Sequence, residues 1–448
     1  MLSIDDSQVL AERLVERATA AGADSADALY IGGRSSSVEV RLGELEHVGR
    51  SEDEDLGLRV FVGSRSASVS SSDLSTDALE ALVERVLAMA AQAPEDQYAG
   101  LAPPDRLERG AFPDLDSIDP REPDPAQLRQ RALEAEQAAL AVAGVANSTG
   151  ASSGASASII ALATSGGFSG AYRATGFSCS VGVVAGEGGS MQRDHAWHSA
   201  RHLEELDEAE DIGRLAGTRA VARLNPVRPK SGSMPVIFDP RVASSLLGHF
   251  AGAINGASVA RKSSFLQDKL DGRVFGEGVT IIDDPLRRRG LRSRPFDAEG
   301  VAVRTMEIVA DGVLRTWMAE SASARQLGIA PTGHAARGVG GSPGASPSNF
   351  YMAAGKRSRG ELLAAFPEAI LVTELIGMGV NGVTGDYSRG AAGFLVSGGE
   401  IGPAVQEITI AANLVDMFAT LEPGSDLELR RGVDAPTILL PEMVIASG

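Results

Sequence analysis

The chain has 448 residues, more than one compact core normally organises, so two domains are expected. Hydrophobic residues make up 43% and charged residues 22%, the balance of a folded globular protein rather than a disordered or membrane-embedded one. Acids outnumber bases by 59 to 41, and the resulting net charge of −18 repels phosphate backbones, which argues against nucleic acid as a partner.

The opening "MLSIDDSQVLAERLVERA" has early acids and no long apolar run, so it is not expected to be a signal peptide. Within it, Ser7 to Ala21 reads as an amphipathic helix, with Val9, Leu10, Leu14 and Val15 near one face. "ADALYIG", "SSSVEVRLG" and "GLRVFVGSRSASVSSS" are β-rich and glycine-broken, which predicts strands and hairpins. "STDALEALVERVLAMAAQA" predicts a helix with Ser75 or Thr76 available as cap. The proline- and acid-rich Ala102 to Pro125 predicts a surface loop or hinge, and "AQLRQRALEAEQAALAVA" a further helix. A long β-stretch from Ala151 to Val184 follows, then a charged amphipathic helix in "LEELDEAEDIGRLAGTRAVARL". "NPVRPKSGSMP" (Asn225 to Pro235) is short, polar and proline-broken, and divides the chain into domains 1–225 and 226–448. Beyond it come a strand in "VIFDP", an apolar helix carrying His249, a β-rich middle and a glycine-rich loop. "AVQEITIAANLVDMFATL" is predicted as a late helix and "PTILLPEMVIA" as a closing strand. Strands and helices come in blocks, so the fold class is α+β: two domains of helices and antiparallel-rich sheets, the C-terminal one β-rich. No run of about 20 apolar residues occurs, so no bilayer-spanning helix is expected. Cys179 is the single cysteine, which rules out an intramolecular disulfide and thiolate metal clusters and suits a reducing cytoplasm.

Five places could carry chemistry. His249 projects beside Val242, Leu246 and Ala253 on a helical wheel. A helical zinc site needs a second convergent ligand and a carboxylate to activate water, yet Ser245 and Ser244 stand four and five residues before it. Ligand count therefore favours a core histidine with a polar tip. In "DHAWHSARH", His195, His198 and His202 fall within about 60° on a helical wheel, so metal binding with Asp194 is an alternative to a solvated helix entry with Trp197 turned away. Asp283 and Asp284 are adjacent carboxylates before a proline, which fits a strand-ending turn better than acid/base work, because neighbours on a strand point apart. "GVGGSPG" (Gly338 to Gly344) lacks the Gly-Lys-Ser/Thr ending of a phosphate loop, and would instead let backbone approach an extended peptide or another chain. His334 has no evident serine–acid set around it, and no G-x-S-x-G elbow occurs.

The segments "SSLLGHFAGAINGASVARKSSFLQDKLDGRVF", "TIIDDP", "PFDAEG", "SARQLG", "PTGHA", "VNGVTGDYSRGAAGFLVSGGEIGPAVQEITIAANLVDMF" and "LLPEM" run in order from Val236 to Met443. With "DLGLRVFVGSRSASVSSSDL" in the first half, the chain resembles the TldE/PmbA branch of the TldD/TldE (PmbA/TldD) family. The resemblance implies a two-domain α+β fold. It also implies a heterodimeric metallopeptidase in which the TldD subunit holds zinc through an H-E-x-x-x-H helix and a late cysteine. That motif would fall on Ser244, Ser245, Leu246, Leu247, Gly248 and His249, and "LRRGVDAPT" has no cysteine, so only His249 remains as a catalytic remnant. The implied role is therefore a metal-free subunit in the cytoplasm, with zinc in the partner, acting in proteolysis of unfolded or extended peptides. Some members are called modulators of DNA gyrase, which does not imply DNA binding. Peptide or interface positions are expected in Gly338–Asn349 and Asn381–Gly393, at Gly340, Gly341, Ser348, Asn349, Asn381, Thr384 and Gly385. Two alternatives stand beside this: an autonomous metal-dependent hydrolase using His249 or His195/His198/His202, and a non-enzymatic homodimer that binds peptides.

Overall fold

Strand length sets the shape of the first half. In the computed structural model, which describes residues 1–447, α1 (Ile4–Ala20) leads into β1 (Ser25–Arg41), β2 (Glu44–Val62) and β3 (Arg65–Ser71). Helices α2 (Thr76–Gln92) and α3 (Pro125–Leu140) precede β4 (Val145–Thr164), β5 (Phe168–Ala185) and β6 (Gln192–Ala200), and α4 (Ala209–Ala222) closes the half. The six strands form one antiparallel sheet in the order β3-β2-β1-β4-β5-β6. At about 3.3 Å per residue its longest strands reach roughly 60 Å, too long for one helix pair to cover. Two pairs share the task. Ala26, Ala28 and Tyr30 of β1 pack under α1 and α2, and Val38 and Val40 of the same strand under α3 and α4. Ser3 and Asp124 cap α1 and α3 through their side chains, whereas Ser75 occupies the cap position of α2 without a side-chain bond.

Residues of opposite parity build the other face. Leu29 and Leu162 meet Leu107 of the proline-rich loop and Phe296 and Val301 of the second half. That loop has no helix or long strand and is pinned rather than free: Leu107 bridges to Val301, and Asp119 accepts from Leu203 and Arg121. Asp27 and Arg59 lie on this face too. Arg59 donates to Asp27 at 2.6 and 2.8 Å, Arg337 from the glycine-rich loop donates to the same carboxylate, and Glu299 stands 3.6 Å from Arg59. All four side chains are at most 7% exposed. Gly57 lies directly beneath the Val339 carbonyl, so close that any Cβ there would collide with backbone.

The second half contains β7 (Gly232–Phe238), α5 (Pro240–Ala253), α6 (Gly256–Ala260), β8 (Ile281–Asp283), β9 (Met306–Ala310), β10 (Val313–Leu314) and α7 (Ser321–Leu327). The short strands β11 (Ala335–Ala336), β12 (Gly344–Ala345) and β13 (Phe350–Met352) follow, then α8 (Arg359–Leu363), β14 (Glu368–Ile376), β15 (Asp386–Ser397), β16 (Glu400–Asn413) and α9 (Leu414–Thr420). The half ends in β17 (Glu422–Pro423), β18 (Val433–Asp434) and β19 (Ile438–Ser447). The sheet runs β16-β15-β14-β7-β19-β17, and β16 also pairs with β19, closing five strands into a ring. A second sheet, β10-β9-β8-β13-β18, packs beside it. The fold is α+β with a β-rich C-terminal region, and among the described residues no helix is long and apolar enough to cross a membrane.

Two elements differ from the sequence reading. "AVQEITIAANLVDMFATL" is mostly strand: Ile408 and Ile410 alternate with more exposed neighbours into the core, and helix begins only where the Asn413 side chain caps α9. "DHAWHSARH" is mostly strand β6, not helix.

Asp27 yields a stability prediction. Burial alone would raise its pKa, but Arg337 and Arg59 outweigh burial and hold it below the ordinary 3.8. Its contribution is thus present above about pH 3.8 and is lost as pH falls through the lower folded value. Arg337→Gln removes one partner from a buried network and should cost about 3–5 kcal/mol in urea denaturation near neutral pH. A cost under about 1 kcal/mol would show that Arg337 does not leave an uncompensated buried charge behind when it is removed.

Candidate functional site

Helix α5 forms because Asp239 caps it, its carboxylate accepting from the Arg241 amide, and because Pro240 sits in the first turn where no amide is needed. Ala243, Leu246, Leu247 and Phe250 point into the core, where Phe250 meets the rings of Phe275, Phe350 and Phe418. Burial of each of the larger side chains is worth about 1.5–3 kcal/mol. Gly248 and Gly252 are exposed, while Ser244, Ser245 and His249 lie half-buried along the helix flank. The Ser245 hydroxyl is turned back onto the Val242 carbonyl at 2.6 Å.

His249 meets the Tyr387 ring edge-on, with ring centroids 6.0 Å apart. Burial first, and then the Arg389 charge, lowers its pKa below the ordinary 6.5. Tyr387 is fully buried and its phenol is pushed up, again by burial. The His249 Nε2, Tyr387 hydroxyl and Arg389 Nε have no hydrogen-bond partner among the described residues. The arrangement offers hydrogen-bond donors and a fixed positive charge. A divalent cation prefers several converging ligands and would be opposed by Arg389. Among the described residues no three His, Cys, Asp or Glu side chains are grouped so that a metal ion could be held.

The other candidates are dispersed. On β6 the odd positions Arg193, His195 and Trp197 are exposed, while Asp194, Ala196 and Ala200 are buried, so His195 and His198 point to opposite faces. His198 Nδ1 accepts from the Asp207 amide at 3.0 Å, and His202 lies beyond the strand against the Asp116 carbonyl. The helical spacing that grouped the three therefore does not exist, and Trp197 shares the exposed face with His195. The period-two alternation was present in the sequence. Asp283 is buried and accepts from the Ser348 amide and hydroxyl at 2.7 Å, with His334 3.4 Å away, while Asp284 accepts from Thr305.

Gly340 and Gly341 are exposed in the glycine-rich loop, Gly340 beside Ser70 of the first half. Ser348 and Asn349 are buried and structural instead. Asn349 accepts from the Arg292 amide and donates to the Asp284 carbonyl and the Ser293 hydroxyl, which leaves no polar atom of its amide to face a peptide. Asn381 organises the exposed turn before β15 by accepting from the Val383 and Thr384 amides. Thr384 donates to Asp386, and Gly385 is buried at a positive φ of 82°. Ile376, Met378 and Val383 are exposed around this turn, Met378 to 85%.

Three family models match in sequence order: PmbA/TldA metallopeptidase domain 1 at residues 26–90, the central domain at 118–224 and the C-terminal domain at 231–447. The metalloprotease PmbA of Escherichia coli O157:H7 is 40% identical over 92% of this chain and 89% of its own length. A metalloprotease PmbA homolog of Haemophilus influenzae is 38% identical over 96% and 94%. Among solved structures, one from Bacteroides thetaiotaomicron VPI-5482, named as a candidate modulator of DNA gyrase, superposes with a TM-score of 0.92 at 26% identity over the whole of both chains. TldE from Thermococcus kodakarensis shares the fold, with a TM-score of 0.85 at 20% identity over 97% and 99%.

The environment of His249 predicts its titration. In NMR its imidazole should titrate below pH 6.5 in the folded chain and shift upward in Arg389→Gln. The stability it contributes is present above pH 6.5 and is lost as pH falls through the folded value, because the unfolded imidazole takes up a proton more readily. An imidazole titrating at or above 6.5, unmoved by Arg389→Gln, contradicts this account.

Proposed function

The chain belongs to the PmbA/TldD metallopeptidase family, and from that premise we propose that it is the metal-free, PmbA/TldE-type subunit of a two-subunit peptidase. The zinc and the water-activating carboxylate come from a TldD-type partner, and the complex acts on unfolded or extended peptides in the cytoplasm. One observation carries this reading: on the helix flank where a metallopeptidase needs two ligands and a base, this chain places two serines and one histidine, with Arg389 beside that histidine. The protein's own contribution is surface. The exposed apolar side chains of Ile376, Met378 and Val383 flank the turn at Asn381, and they suit burial against another subunit. The buried Cys179 thiol, its pKa pushed up to about 11 by burial, fits a reducing compartment as an inert core residue.

Co-expression with a TldD-type subunit tests the proposal. The two chains should co-purify, the complex should hydrolyse an unfolded protein substrate, and elemental zinc should follow the partner. His249→Ala should leave zinc content unchanged. An isolated chain that holds stoichiometric zinc, and loses both zinc and hydrolysis on His249→Ala, overturns it.

A further inference from the structure

A cleft of about 1090 Å³ opens between the two halves, walled by β6, α4, the start of α5, the end of β14 and the segment around Arg431. Its charges are unevenly matched. Asp194, 5% exposed, serves both Arg223 and Arg241; Asp239 takes Arg359, and Asp207 takes Arg430. The guanidiniums of Arg219 and Arg431 have no carboxylate within 4.0 Å among the described residues, although both line the cleft and are half-buried; Asp434 accepts from the Arg431 backbone amide, at 2.9 Å, and not from its guanidinium. Each has only a backbone acceptor, the His195 carbonyl at 3.3 Å for Arg219 and the Pro240 carbonyl at 3.1 Å for Arg431. Burial lowers the pKa of both; Arg241 adds to this, while Asp194 and Asp239 act the other way on Arg219, and Asp434 and Asp239 on Arg431, so the guanidiniums share one neighbourhood.

Three further features suit a ligand. Thr373 lines the cleft, is 6% exposed, and its hydroxyl has no partner. Trp197, 42% exposed, has the Arg431 guanidinium 5.7 Å over its ring. Leu215, also exposed, lines the same cleft.

We propose that this cleft is a carboxylate subsite, in which Arg219 and Arg431 take the C-terminal carboxylate of a peptide while Trp197 and Leu215 cover the apolar part of its last residue. Guanidinium is the side chain best suited to a planar carboxylate. A monoanion fits better than a polyphosphate, because Asp211, Glu374 and Glu428 line the same walls and would repel further negative charge. That the carboxylate belongs to a peptide rests on the function proposed above.

The test uses the isolated full chain and its own fluorescence. Trp317 is buried and Trp197 exposed, so a ligand at the cleft reports through Trp197. N-acetylated tri-leucine with a free C-terminus should change the emission saturably. Its C-terminal amide should bind roughly tenfold or more weakly, the scale of losing one charge-assisted hydrogen bond. Arg219→Gln and Arg431→Gln should each weaken the free acid on that scale and narrow the gap between acid and amide. Arg219→Gln leaves the stacked Arg431–Trp197 pair in place, so its signal is read against an unchanged fluorophore environment. Equal binding of acid and amide, no binding of either, or an undiminished preference for the acid in both variants overturns the subsite. Because binding is read without the zinc partner, failure of the two-subunit complex to form leaves this result standing. A complex that forms normally does not rescue the subsite if acid and amide bind alike.

Discussion

The joint between the two halves depends on charges taken out of water. A β-sheet can bury both faces only if each has something to meet. Here helices α1–α4 cover one face, and part of the other meets the second half through Phe296, Val301 and the loop that carries Arg337. At the centre of that second contact Asp27 holds Arg59 and Arg337, with Glu299 beside them. Such a network is a poor source of net stability, since desolvation offsets most of the attraction. Its effect is positional. A one-residue slip of β1 in its sheet would turn Asp27 to the helix-covered face and leave Arg337 buried without an acceptor. The Val339 carbonyl over Gly57 adds a steric condition to the electrostatic one, because no side chain fits between them. The glycine-rich loop is thus read better as a clasp than as a free peptide-gripping loop, with Gly340 and Gly341 its only exposed candidates among those named.

Fixing the halves in this way fixes the cleft. Its walls come from β6 and α4 on one side and from α5, β14 and the Arg431 segment on the other, and their separation follows from the joint. The same architecture keeps α5 in place although the helix has few groups for chemistry. Phe250 and its aromatic neighbours anchor the buried face, and that anchoring is indifferent to whether the flank carries metal ligands or serines.

Local elements were legible from residues alone where one periodicity dominated. The first helix, the hairpin strands and the closing strand follow from apolar spacing. Misreadings arose where two periods compete over a short span. "DHAWHSARH" places histidines at helical spacing, but its alanines and Asp194 fall at even positions, and pairing to β5 decides in favour of strand. "AVQEITIAAN" has helix-favouring alanines, yet the ring needs β16 between β15 and β19. Ser348 and Asn349 looked like loop residues because the requirement that they tie β8 to its neighbours is set by Asp283 and Asp284, 65 residues away.

The groups that sequence reasoning missed share one property: their meaning lies in what is absent nearby. Arg219 is one arginine on a charged helix, and Arg431 one of a pair after an acidic stretch. Only the fold shows that Asp194 is already committed to Arg223 and Arg241, and that Asp207 is committed to Arg430. A protein with 18 surplus negative charges has carboxylates enough for every arginine. Leaving two half-buried guanidiniums unmatched is thus no consequence of composition. It follows from where the fold places its acids, and guanidiniums held only by backbone carbonyls keep further donors free for an acceptor from outside.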